Sequence, residues 1–520
     1  MLYKTRPWTK AMKLEAKVAM AALYLLLLLF VVPLLYLAVA RRSRRILRPP
    51  PSPWALPVIG HLHHLAGTVP HRALRDLARR YGPLMLLRFG EVRVVVASSP
   101  DAAREVMKTH DLDFATRPVG PMMRDLCRGA DGLVFAPYGQ AWRQLRKICT
   151  VELLSSHRVS SFRPVREAEL GLLLRAVASE AYAARPVNLS ERIAAFIADS
   201  SMRSIIGCQS ADRDTFLRLV EEASKVMTGM SLPEIFPSSR LARRLSRVPG
   251  EIERCRSAMF GFIDDIIHKR QEKRATAAEE HKEDLLDVLL RLQKEMDMQY
   301  PLTTLNIKAV LIDLFAAGSD TSSTILQWAM AELVRNPTVM RKAQEEVRRE
   351  LVGHDKVTED CITNLHYLRL VIKETLRLHP ASALLLPREC RSPCKVLGFD
   401  MPQGAMVLVN AWAIGRDPAH WDAPEEFVPE RFQEQGGRDF KGTDFEFVPF
   451  GAGRRMCPGM AFGLAHIELA LAALLFHFNW DLPDGMVPEE MDMTEAAGPA
   501  TRRQSDLWMI AVPHLPVPRD

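Results

Sequence analysis

The 520-residue chain has no C-x-x-C pair, no G-x-G-x-x-G run after a strand-like segment, no internal repeat and no basic tract interleaved with aromatics. Each absence removes a class of function. Its eight cysteines (Cys127, Cys149, Cys208, Cys255, Cys361, Cys390, Cys394 and Cys457) are scattered, which argues against a zinc ribbon or a disulfide framework and suits a reducing compartment. Without the glycine fingerprint, any dinucleotide chemistry must come from another chain. The formal charge of +7 is not a nucleic-acid signature either. Ten Lys/Arg and one acid, Glu15, lie in residues 1–48, a balance of +9 that leaves −2 for residues 49–520.

What is present begins with an apolar content of 48% against 25% charged residues, enough for a packed core. Val18 to Ala40 is a 23-residue stretch without a charge. As a helix it rises about 34 Å, the length of a bilayer span. The small residues "AVA" at 38–40 leave a cleaved signal peptide as the rival reading. Against it, the run exceeds a usual signal core and "RRSRR" follows as a stop-transfer pattern. Five basic residues on each side leave the orientation undecided by charge; a start at Met12 would favour a cytosolic bulk domain. Asn188-Leu189-Ser190 is a glycosylation sequon usable only in a lumenal domain, and it is read as unmodified. "RPPPSPWALPVIG" (48–60) cannot extend a helix and favours stiff, extended backbone, suiting a neck between membrane and globular domain. The expected organisation is a basic segment 1–17, a transmembrane anchor 18–40, a basic stop and proline-rich hinge 41–57, and a catalytic domain 58–520.

From about residue 66 helical periodicity dominates. The charged stretch 268–284 reads as a solvated helix end and loop. Two hairpins are expected, one in 84–99 around Gly90 and one in 395–410 turning near Pro402-Gln403-Gly404. The fold class is mainly α with a small β-sheet portion.

The segment richest in chemistry is "FVPFGAGRRMCPGM" (447–460). A thiol ligates metal only as thiolate. Pro458 and the apolar run after Met460 place Cys457 at the start of a helix, where the dipole favours negative charge. Gly451, Gly453 and Gly459 permit tight backbone around the sulfur, and Arg455 can pair with an anion beside the metal. A lone cysteine at a helix start is more often structural. The full pattern F-G-x-G-R-x-C-x-G, from Phe450 to Gly459, reverses that balance.

This loop resembles the cysteine-ligand loop of the cytochrome P450 haem-thiolate monooxygenases. Further signatures follow in that family's order over essentially the whole chain. The proline-rich neck, "PERF" and the N-terminal span are similar to its plant microsomal branch. The resemblance implies the cytochrome P450 fold with an N-terminal transmembrane helix. It also implies haem b held by Cys457, O2 as co-substrate, and electrons from NADPH delivered by a separate NADPH-cytochrome P450 reductase. The enzyme would sit in the endoplasmic reticulum membrane by a single pass, its catalytic domain facing the cytosol, with no nucleic-acid partner.

Other stretches take their roles from the same resemblance. "AVLIDLFAAGSDTSSTILQWAM" (309–330) is apolar on nearly all faces, as in a helix through a protein interior. Gly318 and Thr321 weaken or bend such a helix. In the family this motif flanks the oxygen site, so Thr321 would hydrogen-bond there and Asp320 would feed protons. In "KETLRLHP" (373–380), Glu374 and Arg377 share one helical face; by resemblance they form a buried lock with Arg431 of "PERF". Trp142 and Arg146, one turn apart in "YGQAWRQLRKICT", would contact the haem propionates with Arg388 and Arg455; Phe450 and Gly459 complete the haem contacts. Arg143, Arg146 and Lys147 make that helix basic, suiting an acidic electron-transfer partner.

The expected substrate pocket is formed by residues 117–137 with Met122 and Met123, by Ile312, Phe315, Ala316 and Ala317, by Leu384, Leu385 and Leu386, and by residues near 496–500. Apart from the first loop these stretches carry almost no charge, so the ligand is expected to be lipophilic without an ionic anchor. "MTGMSLPEIFP" (227–237) reads equally as a membrane-facing entry loop or a plain connection. The expected reaction is hydroxylation of a plant specialised metabolite, a terpenoid ahead of an indole-type or phenolic one. A reductase-independent haem-thiolate isomerase or lyase is the other class; such members alter the oxygen-site threonine and the cysteine loop, both intact here.

Overall fold

Alternation of β-branched residues and two short turns produce the first sheet. The chain "VRVVVA" favours a pleated, buried surface. The computed structural model describes residues 48–207, 214, 215, 217–219, 221, 222, 231–276, 283–295, 299–433, 437–496 and 498–517. The expected basic segment 1–17, the apolar span 18–40 and residues 41–47 of the stop lie outside the described residues, as do 227–230 of the apolar loop and 277–282 of the charged stretch. Residues 50–520 form one compact unit.

The helices used below are α1 (Pro70–Tyr81), α2 (Gln140–Ile148), α3 (Arg163–Tyr182), α4 (Leu189–Ile206) and α5 (Val248–Thr276). They continue with α6 (Leu285–Glu295), α7 (Thr304–Arg335), α8 (Pro337–Glu350), α9 (His366–Leu378) and α10 (Met460–His477). The strands are β1 (Leu84–Phe89), β2 (Val92–Ala97), β3 (Val187–Asn188), β4 (Arg388–Glu389), β5 (Cys394–Val396), β6 (Phe399–Met401), β7 (Met406–Val409), β8 (Phe478–Asp481) and β9 (Trp508–Pro513). They form sheets ordered β1-β2-β7-β4, β3-β9-β8 and β5-β6.

The first hairpin turns at Gly90, with Phe89 opposite Val92 and Leu84 opposite Ala97. The second differs from the expected one. β5 and β6 turn at Leu397-Gly398, both at positive φ (48° and 78°). The segment after Pro402–Gly404 leaves this pair: β7 runs parallel to β2, with Val94 opposite Met406. Its buried residues Val407, Leu408 and Val409 are covered in the larger sheet, which a solvent-exposed two-stranded ribbon could not provide. The stretch 50–57 is not free of the fold either. Leu86 N–H donates to Pro51 O at 2.9 Å, and buried His61 bonds Pro53 O at 3.0 Å.

The long α7 starts in a capping box: Thr303 Oγ1 accepts from Asn306 N–H and Asn306 Oδ1 accepts from Thr303 N–H, each at 3.1 Å. At 1.5 Å per residue its 32 residues run about 48 Å through the protein. It packs against α4 and α10, and its second half, Ser322–Val334, is almost entirely buried. Among the described residues, α7 and α10 are long and apolar enough to cross a membrane, but the apolar windows are 50% and 67% buried inside the fold. The sequon asparagine, Asn188, is engaged: its Oδ1 caps α4 through Glu191 N–H at 3.1 Å and its Nδ2 donates to Asp506.

Candidate haem-thiolate site

Glycine makes the loop before α10 possible. Gly451 and Gly453 adopt φ of 67° and 68°, and a Cβ on Gly453 would lie 2.2 Å from the carbonyl oxygen of Met107. The loop closes when Cys457 N–H donates to Phe450 O at 3.0 Å. Cys457 lies three residues ahead of α10, whose N-cap is Gly459. Three influences act on its sulfur. Burial is the largest and pushes the thiol pKa up; the Gly459 N–H and the Arg146 guanidinium pull it down. Cys457 nonetheless has exposed surface, which together with this desolvation describes a side chain lining an internal cleft.

Beside the loop stand four arginines with too few acids. Arg146 donates to Met456 O at 2.6 Å. Arg455 donates to Ala115 O at 2.7 Å and Ala136 O at 2.6 Å, and its guanidinium carbon lies 4.0 Å from the Trp142 ring centroid. Arg388 reaches Ala452 O at 2.7 Å and Asp111 at 3.1 Å. Arg117 donates to Leu386 O at 2.8 Å and Pro387 O at 2.7 Å. Burial and then the neighbouring cations Arg388 and Arg146 lower Arg455 to about 9; Arg117 is driven well below its ordinary value by burial and by Arg388, Arg455 and Arg146. Among the described residues, Asp111 is the one carboxylate bonded to this group of four. Such a cluster accommodates anions, and the two propionates of haem fit it. Trp142 N–H donates to Leu133 O at 2.9 Å and the face of its ring supports Arg455. Arg117 was legible only as the first residue of a pocket loop; an arginine before proline carries no sequence mark of burial.

The opposite wall is α7. It stays helical through 304–335, and the expected bend shows instead as a side-chain bond: Thr321 Oγ1 donates to Ala317 O at 2.6 Å. Asp320 pairs with Arg502 at 2.6 Å; burial raises its pKa and Arg502 opposes that rise. Small residues let α10 approach α7. A Cβ on Gly318 would lie 3.6 Å from the Phe462 ring, and one on Gly463 would lie 3.1 Å from Ser322 Oγ.

The pocket residues divide. Ala317 is exposed and Ala316 and Ile312 half-buried, although α7 crosses the core. Phe315 is fully enclosed in an apolar cluster with Leu133, Leu145 and Ile307, so it faces core rather than cleft. Leu386 is 39% exposed, Leu385 holds φ of 49° and packs beside the cysteine-loop cluster, and Leu384 packs toward the sheet. Met122 is buried and Met123 half-buried; Met122 N–H donates to Glu234 at 2.6 Å.

Asp313, within one of the expected pocket stretches but not singled out, is tied to the pocket loop. One oxygen accepts from Leu133 N–H at 2.6 Å and Val134 N–H at 2.9 Å. Burial pushes its pKa up to about 6, and the two N–H groups oppose the rise. The nearby Cys127 and Cys149 thiols, raised by burial to about 12, stay neutral. A carboxyl raised from 3.8 to about 6 binds its proton more tightly folded than unfolded, so its contribution to stability is present below pH 3.8 and is lost as pH rises to 6. Asp313→Asn keeps the acceptor and removes the charge. It is expected to flatten that part of a melting-temperature profile against pH, whereas Asp313→Ala strands two N–H groups and costs about 1–3 kcal/mol.

The lock is complete. Glu374 and Arg377, both fully buried, form two bonds of 2.7 Å. Arg431 reaches Glu374 at 3.0 Å and Val428 N–H reaches it at 2.8 Å. Arg377 also donates to the carbonyls of Gly415, Pro424 and Glu426.

The cytochrome P450 family profile matches residues 49–505. The chain is 47% identical over 465 residues to desmethyl-deoxy-podophyllotoxin synthase of Sinopodophyllum hexandrum, covering 89% of this chain and 91% of that one. It is 45% identical to premnaspirodiene oxygenase of Hyoscyamus muticus, covering 90% of this chain and 93% of that one. It is 46% identical to zealexin A1 synthase of Zea mays, with the same coverage. A cysteine loop cradled by arginines, a buried Glu–Arg–Arg lock and these likenesses converge: the chain belongs to the cytochrome P450 family, as a haem-thiolate monooxygenase of its plant branch.

Proposed function

We propose that this protein is a membrane-anchored monooxygenase that hydroxylates a terpenoid hydrocarbon or its alcohol, with Cys457 as the haem ligand and a separate NADPH-dependent reductase as electron donor. The observation that carries the reading is Cys457 in its glycine loop beside an arginine cluster short of acids. The span 18–40 supports an endoplasmic reticulum anchor with the domain at 58–520 facing the cytosol. The names of two similar proteins, premnaspirodiene oxygenase and zealexin A1 synthase, and the uncharged lining at Ala316, Ala317 and Leu386 support a lipophilic substrate.

Haem, when bound, supplies dioxygen activation at its iron, tuned by the sulfur ligand. The residues of the chain do the rest. Arg117, Arg146, Arg388 and Arg455 receive the propionates. The Gly459 N–H and Arg146 favour the ionised Cys457 sulfur and offset part of the desolvation that raises its pKa; the metal of a bound haem would supply the remaining stabilisation. Thr321 can turn its hydroxyl from Ala317 O to the cleft, and Asp320, held by Arg502, carries protons inward from that pair. Asp313 and Glu234 fix the pocket loop.

The test is turnover of a sesquiterpene panel by the enzyme with reductase and NADPH, read by mass spectrometry. Oxygenated product dependent on the reductase is expected. Thr321→Ala is expected to cut product formed per NADPH oxidised by about 100-fold, the lower end for a positioned proton donor. Unchanged coupling would remove Thr321 from oxygen activation, and product without reductase would remove the proposed electron donor.

A further inference from the structure

We propose that His110, Asp113 and Cys394 form a second metal site, for a thiophilic divalent cation of the Zn2+ type. Their ligating atoms all lie within 4.8 Å of one another, and all three residues are half-buried. Donors around a tetrahedral zinc ion sit about 3.5 Å apart, so side-chain rotations of about 1 Å close the set. Sulfur, imidazole and carboxylate together are a zinc-type donor set.

The site is preorganised by its backbone. Arg391 N–H donates to Asp113 O at 2.8 Å and Ser392 Oγ to Asp113 Oδ1 at 2.5 Å, so the segments 110–113 and 390–394 are already joined. Asp113 Oδ2 lies 3.5 Å from His110 Nδ1, and Glu105 lies 3.7 Å from the other ring nitrogen. Cys390 shares a hydrogen bond with Cys394 and also donates to Ser392 O at 3.1 Å; it is the nearest further sulfur. Two carboxylates, Asp113 and Glu105, flank the imidazole. Burial first, then Cys390, Asp113 and Glu105, push the Cys394 thiol up to about 12. A dication would offset those carboxylates. Binding would release the Cys394 proton to solvent as the S–metal bond forms.

The placement gives the site a consequence. Asp111 lies between two of the ligands and holds Arg388 at 3.1 Å and Arg454 N–H at 3.0 Å. Arg388 is two residues ahead of Cys390 and grips Ala452 O of the cysteine loop. A bound cation would brace both segments that position Arg388.

The experiment is Zn2+ titration of the reduced, haem-loaded full chain against a chromogenic chelator, with metal counted after dialysis. About one Zn2+ per chain is expected. Cys394→Ser and Asp113→Asn are each expected to weaken binding about 100-fold, at the upper end of losses around metal sites, while the reduced carbon monoxide spectrum stays unchanged and certifies the fold. No retained zinc in the unsubstituted protein, or an affinity in both variants unchanged from that of the unsubstituted protein, overturns the proposal.

Discussion

Cys457→Ala is expected to abolish the haem-thiolate form of the reduced carbon monoxide difference spectrum and all NADPH-dependent product. The loop around residue 457 is built for sulfur: Gly451 and Gly453 take backbone angles a side chain resists, and the Gly459 N–H and Arg146 are both placed to stabilise negative charge there. Alanine leaves this cradle intact and removes only the donor. The variant should therefore fold, with the Glu374 lock and the arginine cluster undisturbed, and any residual haem should show a non-thiolate spectrum. A thiolate spectrum in this variant would transfer the ligand to another cysteine and overturn the assignment. Cys457→Ser distinguishes geometry from donor strength, since oxygen fits the cradle but donates less charge than sulfur.

Glu374→Ala is expected to be the most destabilising single change. It leaves Arg377 buried at 0% exposure and Arg431 at 11% without their shared acid, and it strands Val428 N–H. Removing one partner of a buried pair costs roughly 3–5 kcal/mol. A domain is held by only about 5–15 kcal/mol. The expected readings are little haem-loaded protein and a melting midpoint many degrees lower. Glu374→Gln keeps one acceptor oxygen and should lose less. Full haem content in Glu374→Ala would sink the locking role, because the segment 424–431 that Glu374 and Arg377 hold leads directly toward the cysteine loop.

Much of the architecture could be read from residues whose local chemistry is strong. The largely apolar run 309–330 of α7 and the hairpin at Gly90 each follow a short-range rule. The strand after Gly404 did not, because β7 is chosen by a distant partner: its register is set by Val94–Ala97 some 300 residues earlier. The site divides in the same way. Cys457 and the E-x-x-R pair are marked by spacing. Arg117, Asp313 and Glu234 act through backbone groups far along the chain, and bonds to backbone leave no pattern in side-chain sequence. Phe315 misled for the converse reason: on a helix apolar all round, composition does not distinguish the face that meets core from the face that meets the cleft.

The contact of Gly318 with Phe462 and of Gly463 with Ser322 has a reach beyond packing. It makes the helix bearing Thr321 and the helix following Cys457 a single stiff chassis, whereas the pocket rim meets it through the carboxylate of Asp313 and is otherwise tied within itself, at Glu234 and Arg117. Substitutions on the rim can therefore retune which molecule is oxidised and at which carbon while the oxidising machinery keeps its dimensions. Engineering a new product from this scaffold should begin at residues 120–134 and 384–386 and leave both glycines alone.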